Sequence, residues 1–289
     1  MSEVCLAVTQ MACGDNASEN VDRAESLVRQ AAEQGAQIIL LQELFETPYF
    51  PKDQLAEVYD MARPAENHPT LERLAALAKE LAVVLPLNFF ERANQALYDS
   101  VMIVDADGEY LGLYRKSHIP NAVGYQEKHY FNPGDTGFQV WPTRYATIGV
   151  GVCWDQWFPE AARIMTLRGA EAIFYPTAIG SVPQAPGHDS MAHWQRVMQG
   201  HAGANLIPVC ASNRIGREAG QSYETTFYGS SFIAGPEGEI VAQAGRDEEE
   251  VVTARFDLEA LRRKRNFWAV FRDRRPDLYG PILTLDGWD

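Results

Sequence analysis

Three side chains far apart in the chain have the types that acyl transfer needs. Glu43 follows the apolar run Ile38 to Leu41, Lys116 closes the run Tyr110 to Arg115, and Cys153 closes Ile148-Gly149-Val150-Gly151-Val152. In open α/β sheets ligands gather beyond the carboxyl ends of the strands, so polar residues that end apolar runs are the first candidates for a site. Brought together, the carboxylate could take the thiol proton, the sulfur could attack a carbonyl carbon, and the ammonium could steady the oxyanion. Each residue alone also has a plainer reading: a core cysteine, a solvated strand end, a surface lysine. Their shared placement at strand ends is what favours chemistry.

The stretch Gly149 to Asp155 runs within a few residues into Phe158-Pro159-Glu160, and Pro159 suits the first position of a helix, so Cys153 is expected at a strand-to-helix turn. A helix N-terminus there would lower the thiol pKa from about 8.5 and favour thiolate. Cys5, Cys13 and Cys210 read as core residues. His118, His129, His193 and His201 offer a papain-like Cys-His pairing as an alternative, though no motif aims any of them at the thiol. A catalytically silent binding protein is a further alternative. His193 and His201 stand eight apart on an expected helix, unlike the i, i+4 spacing of a zinc helix, and no CxxC, G-x-G-x-x-G or Walker segment is present. Neither a metal nor a cofactor is expected.

The elements that must hold these residues follow from periodicity. Cys5 to Thr9 reads as a strand, and Asn16 to Gln34 as an amphipathic helix with Gly35 just past its end. Ile38 to Leu41 reads as a strand covered on both faces. A helix over Pro69 to Leu81 leads to β-rich runs at Val83 to Phe90, Leu97 to Asp105 and Tyr110 to Lys116, the last two joined at Asp107-Gly108. The second half repeats this order: strand Ala146 to Cys153, helix Pro159 to Arg168, strand Ala172 to Tyr175, helix Ser190 to Ala204 and strand Ile207 to Ala211. Three β-rich runs follow at Thr226 to Ala234, Glu239 to Ala244 and Val251 to Phe256. Two sheets, each with helices on one face, could bury their other faces together, which predicts an α/β protein built as a four-layer α-β-β-α sandwich. No linker separates the halves, so residues 1–289 are expected to form a single domain.

Composition excludes several classes. The 289 residues are 46% hydrophobic and 22% charged, with 22 Gly and 16 Pro, close to an average globular chain. A net charge of −14, from 25 Lys plus Arg against 39 Asp plus Glu, repels phosphate backbones and acidic head groups, so nucleic acid and membrane are not expected as partners. Nothing resembles a secretory signal or a membrane span, and the four cysteines show no disulfide pattern, so a cytoplasmic protein with reduced thiols is expected.

Three segments carry a family resemblance: Gln42 to Tyr49 (QELFETPY), Tyr114 to Pro120 (YRKSHIP) and Val152 to Glu160 (VCWDQWFPE). Together they resemble the signature segments of the nitrilase, or carbon-nitrogen hydrolase, superfamily, and the likeness runs nearly end to end. It implies a Glu-Lys-Cys triad, with Glu43 as general base, Lys116 as oxyanion donor and Cys153 as nucleophile. It also places a supporting glutamate at Glu127, an oxyanion contact at the Trp154 N–H, and homo-oligomer formation. The likeness within the superfamily is to members that hydrolyse N-carbamoyl amines, which implies a small cationic substrate. Another N-carbamoyl amine or amino acid, or a linear amide, is the alternative. An ammonium at the far end of the substrate needs an acidic or π-rich pocket, for which Tyr49, Glu127, Trp154 and Asp155 are candidates. Val182 departs from the resemblance, standing where relatives commonly show an acid. The basic run Arg262 to Arg265, followed by Phe267, Trp268 and Phe271, reads as a solvated helix face or a subunit contact.

Overall fold

Alternation along the first strand sets the layering. β1 (Glu3–Gln10) points Val4, Leu6 and Val8 into one apolar cluster and Cys5 and Ala7 into another. The second cluster is completed by α1 (Ala17–Glu33) and α2 (Pro69–Leu81), which pack Val21, Leu27, Leu71 and Leu74 onto that face. Asn16 caps α1 by accepting from the Ser18 and Glu19 N–H groups, and Gly35 beyond its end adopts φ +87°, the left-handed conformation that suits glycine. The structure, a computed structural model, describes residues 3–183, 185–221 and 223–288.

β1 pairs in parallel with β2 (Ile38–Leu40), and β2 is joined to β3 (Leu85–Ala93) through hydrogen bonds at Gln37 and Ile39 to Val84. β3, β4 (Ala96–Val104) and β5 (Tyr110–Arg115) form an antiparallel meander, and the last strand, β14 (Glu250–Asp257), returns to pair with β1. The first layer of strands therefore runs β14-β1-β2-β3-β4-β5.

The second sheet has the order β13-β12-β9-β8-β7-β6. β6 (Val140–Pro142) lies antiparallel to β7 (Thr147–Val150), and β7, β8 (Ala172–Pro176) and β9 (Val209–Ser212) run parallel. β12 (Phe232–Ala234) and β13 (Ile240–Gln243) complete it in antiparallel register. Each sheet is thus an antiparallel edge, three parallel strands and two antiparallel strands, a topological repeat without a sequence repeat. Ala172 and Phe174 of β8 face the first sheet, while Ile173 and Tyr175 face α3 (Pro159–Leu167) and α4 (Met191–Asn205). The result is the expected four-layer α-β-β-α sandwich.

Three local expectations are corrected. Thr226 to Ala234 is two strands, β11 (Glu224–Tyr228) and β12, separated by residues 229–231, of which Gly229 and Ser230 are at positive φ. β10 (Ile215–Ala219), unanticipated because its IGREA sequence is polar and glycine-bearing, forms a hairpin with β11. Finally, β7 stops at Val150, and Cys153 opens a 3₁₀ turn over Cys153–Trp157. α5 (Leu258–Trp268) exposes Arg262 and Arg263 along with Phe267 and Trp268.

Candidate active site

The register of the β4–β5 pair delivers the lysine. Ser100 faces Arg115, so the next pair is Asp99 with Lys116, and the Lys116 N–H donates to the Asp99 carbonyl at 2.9 Å. The side chain is fully buried, with Nζ donating to Glu43 Oε1 at 2.6 Å and to Glu127 Oε2 at 2.5 Å, and lying 3.3 Å from Asp99 Oδ2. The three carboxylate groups come close enough to one another to hold a cation, and the ammonium takes that place.

Glu43 is held by its backbone rather than by the end of a strand. It lies three residues beyond β2, where its N–H donates to the Thr177 carbonyl at 3.3 Å and the Leu44 N–H donates to Asn88 Oδ1 at 2.6 Å. Glu127 comes from the one-turn segment Glu127–His129, and its Oε1 accepts from the Tyr49 hydroxyl at 2.6 Å. The nucleophile candidate adopts φ +40°, a left-handed conformation that L-residues with a side chain rarely adopt. Asp155 holds that turn, its Oδ2 accepting from the Val152 N–H at 2.9 Å and the Tyr114 hydroxyl at 2.7 Å. Its Oδ1 accepts from the His118 N–H at 2.9 Å and pairs with His118 Nδ1 at 2.7 Å. A side chain at Gly151 would stand 2.8 Å from the Tyr175 ring, so glycine there lets the turn close onto β8.

A cavity of about 400 Å³ opens onto Cys153 and Glu127, walled by Trp154, Trp157, Tyr125 and Val182. Behind it, fully buried Lys116 contacts both Glu127 and the equally buried Glu43. Of the residues expected to bind substrate, Trp154 does line this cavity, whereas Asp155 and Tyr49 do not. Asp155 is a correction: it is fully buried and its oxygens are occupied in fixing the turn. Tyr49 is another, since its buried hydroxyl is committed to Glu127.

Charge and burial tune the group jointly. Burial pulls Lys116 down, but the Glu127, Glu43 and Asp99 carboxylates outweigh it and hold the ammonium well above its ordinary range. Burial pushes Glu43 well above the usual carboxylate range, against the pull of Lys116. Burial, then the Glu43 charge, push the Cys153 thiol well up, with Lys116 opposing. The expected thiolate is therefore corrected to a resting thiol, which needs a base. Its Sγ lies 3.9 Å from the Ala178 carbonyl. Among the described residues no histidine hydrogen-bonds to the sulfur: His118 is tied to Asp155 and stacked on Phe158, and His201 is tied to the Gln156 carbonyl. The Trp154 N–H has no acceptor within the described residues, so it is free to donate to a developing oxyanion. A sulfur nucleophile, a buried base and a buried cation beside one cavity suit attack on a carbonyl-like carbon.

Two positioning residues lie outside the motifs. Asp99 interrupts the apolar strand sequence LYDSVMIV, and a buried acid inside such a strand is the signal that could have marked it. Arg214, fully buried, donates to the Glu43 and Leu44 carbonyls at 3.0 and 2.8 Å.

The likeness to known proteins covers nearly the whole chain. A family model described as carbon-nitrogen hydrolase matches residues 5–266. The chain is 62% identical to the N-carbamoylputrescine amidase of Solanum lycopersicum, over 98% of this chain and 96% of that one. It is 50% identical to a citrullinase of Francisella tularensis, over 98% and 99%. The crystal structure of a carbon-nitrogen hydrolase from Helicobacter pylori superposes with a TM-score of 0.93 at 36% identity, over 98% of this chain and 99% of that one.

Proposed function

Because this chain belongs to the carbon-nitrogen hydrolase family, we propose that it hydrolyses N-carbamoylputrescine to putrescine, carbon dioxide and ammonia, a step that supplies a polyamine. The observation that carries the reading is the contact of Lys116 with both Glu43 and Glu127 beside a cavity lined by Cys153. Identity above 60% over nearly the full length to an N-carbamoylputrescine amidase supports the substrate.

In this reading the resting Cys153 thiol gives its proton to Glu43 as sulfur attacks the ureido carbon. A ureido carbonyl is a poor electrophile, so its oxyanion needs the Lys116 ammonium and the Trp154 N–H, donors that act strongly in a dry site. Collapse expels an amine, which takes the proton from Glu43 and leaves a carbamoyl or acyl group on sulfur. Glu43 then deprotonates a water that attacks this thioester, and the carbamate released falls apart to carbon dioxide and ammonia. Glu127 holds Lys116 in place from the opposite side, and Tyr49 holds Glu127.

The cationic far end of the substrate would rest against the Trp154, Trp157 and Tyr125 rings, since Val182 supplies no carboxylate at the cavity wall. The protein is read as a cytoplasmic homo-oligomer. Phe267, Trp268, Leu283, Leu285 and Trp288 are too exposed and apolar for an isolated subunit, and a second copy is their proposed cover. No helix among the described residues is long and apolar enough to cross a membrane.

The test is turnover of N-carbamoylputrescine, citrulline and N-carbamoyl-β-alanine at equal concentration, read by ammonia release. Preference for the first supports the reading. Preference for citrulline or N-carbamoyl-β-alanine moves the substrate to a ureido acid, and no ureide turnover rejects it. Sedimentation of the intact protein as a monomer would reject the oligomer.

A further inference from the structure

Asp99 brings a third carboxylate to Lys116, and the reaction sequence above gives it no task. It sits fully buried in β4, with Oδ1 accepting from Asn88 Nδ2 at 2.6 Å and Oδ2 lying 3.3 Å from Lys116 Nζ without a hydrogen bond to it. Glu43 has a matching vacancy: Oε1 accepts from Lys116 Nζ, while buried Oε2 meets no donor. One carboxylate oxygen of Glu43 and one of Asp99 lie within 4.8 Å of each other. Two carboxylate oxygens that share a dry space and lack donors are strongly unfavourable unless a proton lies between them. The charge count agrees, because three carboxylates face a single ammonium.

We infer that Glu43 and Asp99 share one proton across Glu43 Oε2 and Asp99 Oδ2, which makes Asp99 the positioning residue that sets the pH at which Glu43 can act as a base. The inference rests on the reading of Glu43 as general base and deepens it. The charged and titratable groups around the pair are Lys116 beyond β5, Glu127 with Tyr49 on its far oxygen, and Cys153 in its turn. Arg214 meets the Glu43 backbone, and neutral Asn88 of β3 faces Asp99. During attack the S–H bond breaks and an O–H bond forms on Glu43, so the pair briefly holds two protons. One then passes to the leaving nitrogen as the amine departs, and the pair returns to a single proton.

Asp99→Asn mimics the singly protonated pair. Asn88 Nδ2 donates to Oδ1 and so fixes the orientation of the substituted amide: its oxygen keeps that contact and its NH₂ replaces Oδ2 toward Glu43. The amide is neutral, as the proton-bearing Asp99 of the shared pair is, so Glu43 meets no change of charge. The acid limb of kcat/KM for N-carbamoylputrescine should therefore stay near its wild-type position, whereas Asp99→Leu, which removes the donor, should move it to higher pH. Were Asp99 a separate ionised carboxylate, its replacement by Asn would instead move the limb to lower pH by about one unit or more. Isotope-edited infrared spectra of the wild type near neutral pH should show a carboxylic-acid C=O band that disappears in both Asp99→Asn and Glu43→Gln. An acid limb that moves to lower pH by about a unit or more in Asp99→Asn, one that stays in place in Asp99→Leu, or a band retained in Asp99→Asn or Glu43→Gln, overturns the shared proton. The infrared readout is independent of turnover. A band lost in both variants of an enzyme inert toward every ureide upholds the pair and rejects the substrate reading; a band retained rejects the pair whatever the substrate.

Discussion

Arg214 Nη2 donates to the carbonyl of Glu43 at 3.0 Å, so the backbone of the proposed base is clamped by a fully buried guanidinium contributed from beyond β9. The same nitrogen holds the Leu44 carbonyl at 2.8 Å, and Nη1 holds the Thr47 carbonyl at 2.9 Å and Glu218 Oε1 at 2.7 Å. Leu44 adopts φ +49°, a strained conformation that this clamp and Asn88 pin from two sides. Arg214→Lys supplies one charge but cannot make the fork of four bonds. Its kcat should fall about a hundredfold with KM little changed, because a displaced base weakens attack more than binding. Arg214→Ala, which removes four buried hydrogen bonds and leaves Glu218 Oε1 without its donor, should lose about 3–5 kcal/mol of unfolding free energy in urea titration.

The pH profile follows from the directions of the shifts. Glu43 must be able to accept a proton, and its proton affinity lies well above the ordinary carboxylate range because of burial. The acid limb of kcat/KM should accordingly fall well above the usual carboxylate value of about 4.3. Lys116 must keep its proton, and its carboxylate neighbours hold it above the ordinary lysine range despite burial, so the ammonium survives through neutral and moderately alkaline pH. Rates measured with the neutral substrate acetamide as well as the carbamoyl amine separate these limbs from titration of the substrate. Glu43→Gln should remove about 10²–10⁴-fold of kcat.

That same substitution should make the sulfur more acidic while it slows turnover. The Glu43 charge raises the Cys153 thiol and the Lys116 charge lowers it. Removing the carboxylate charge therefore moves the midpoint of iodoacetamide labelling at Cys153 to lower pH, and Lys116→Met moves it higher. Peptide mapping distinguishes Cys153 from the other cysteines, Cys5, Cys13 and Cys210. Labelling midpoints that both stay at the wild-type value would mean the three groups do not share a field.

Much of this was legible in the order of elements. The helix periods of α1 and α2 were strong because each buries a single face, so sequence period and burial coincide, while β1 and β8 read as continuous apolar runs because both of their faces are covered. Glu43, Lys116 and Cys153 stood out because each ends an apolar run. The side chains that orient them were harder to read. Asn88 and Asp99 lie inside strands and Arg214 in a short connection, and their value comes from partners distant in sequence. Asp155 and Tyr49 misled for the reverse reason: closeness in sequence to the motifs suggested the cavity wall, while burial turned both toward the scaffold. The acidity of Cys153 was misjudged because a helix N-terminus is visible in sequence and full desolvation beside a carboxylate is not.

Asp155 offers a test that separates scaffold from pocket. Its two oxygens take hydrogen bonds from the Val152 and His118 N–H groups and from the Tyr114 hydroxyl, and they hold a nucleophile that sits at φ +40°. Asp155→Asn keeps the size but converts one oxygen into a donor, so whichever way the amide turns, a backbone N–H loses its acceptor. Loss of one such buried bond costs about 1–3 kcal/mol, and the turn carrying Cys153 should relax toward ordinary φ. A scaffold role predicts lower thermal stability and a kcat loss of similar size for N-carbamoylputrescine and for neutral amides, with KM nearly unchanged. A role in gripping the distal ammonium predicts the opposite: unaltered stability, and a KM increase confined to cationic substrates. The hydrogen bonds around Asp155 favour the first outcome, because a carboxylate already met by two backbone amides and a tyrosine has little capacity left for a ligand it does not face.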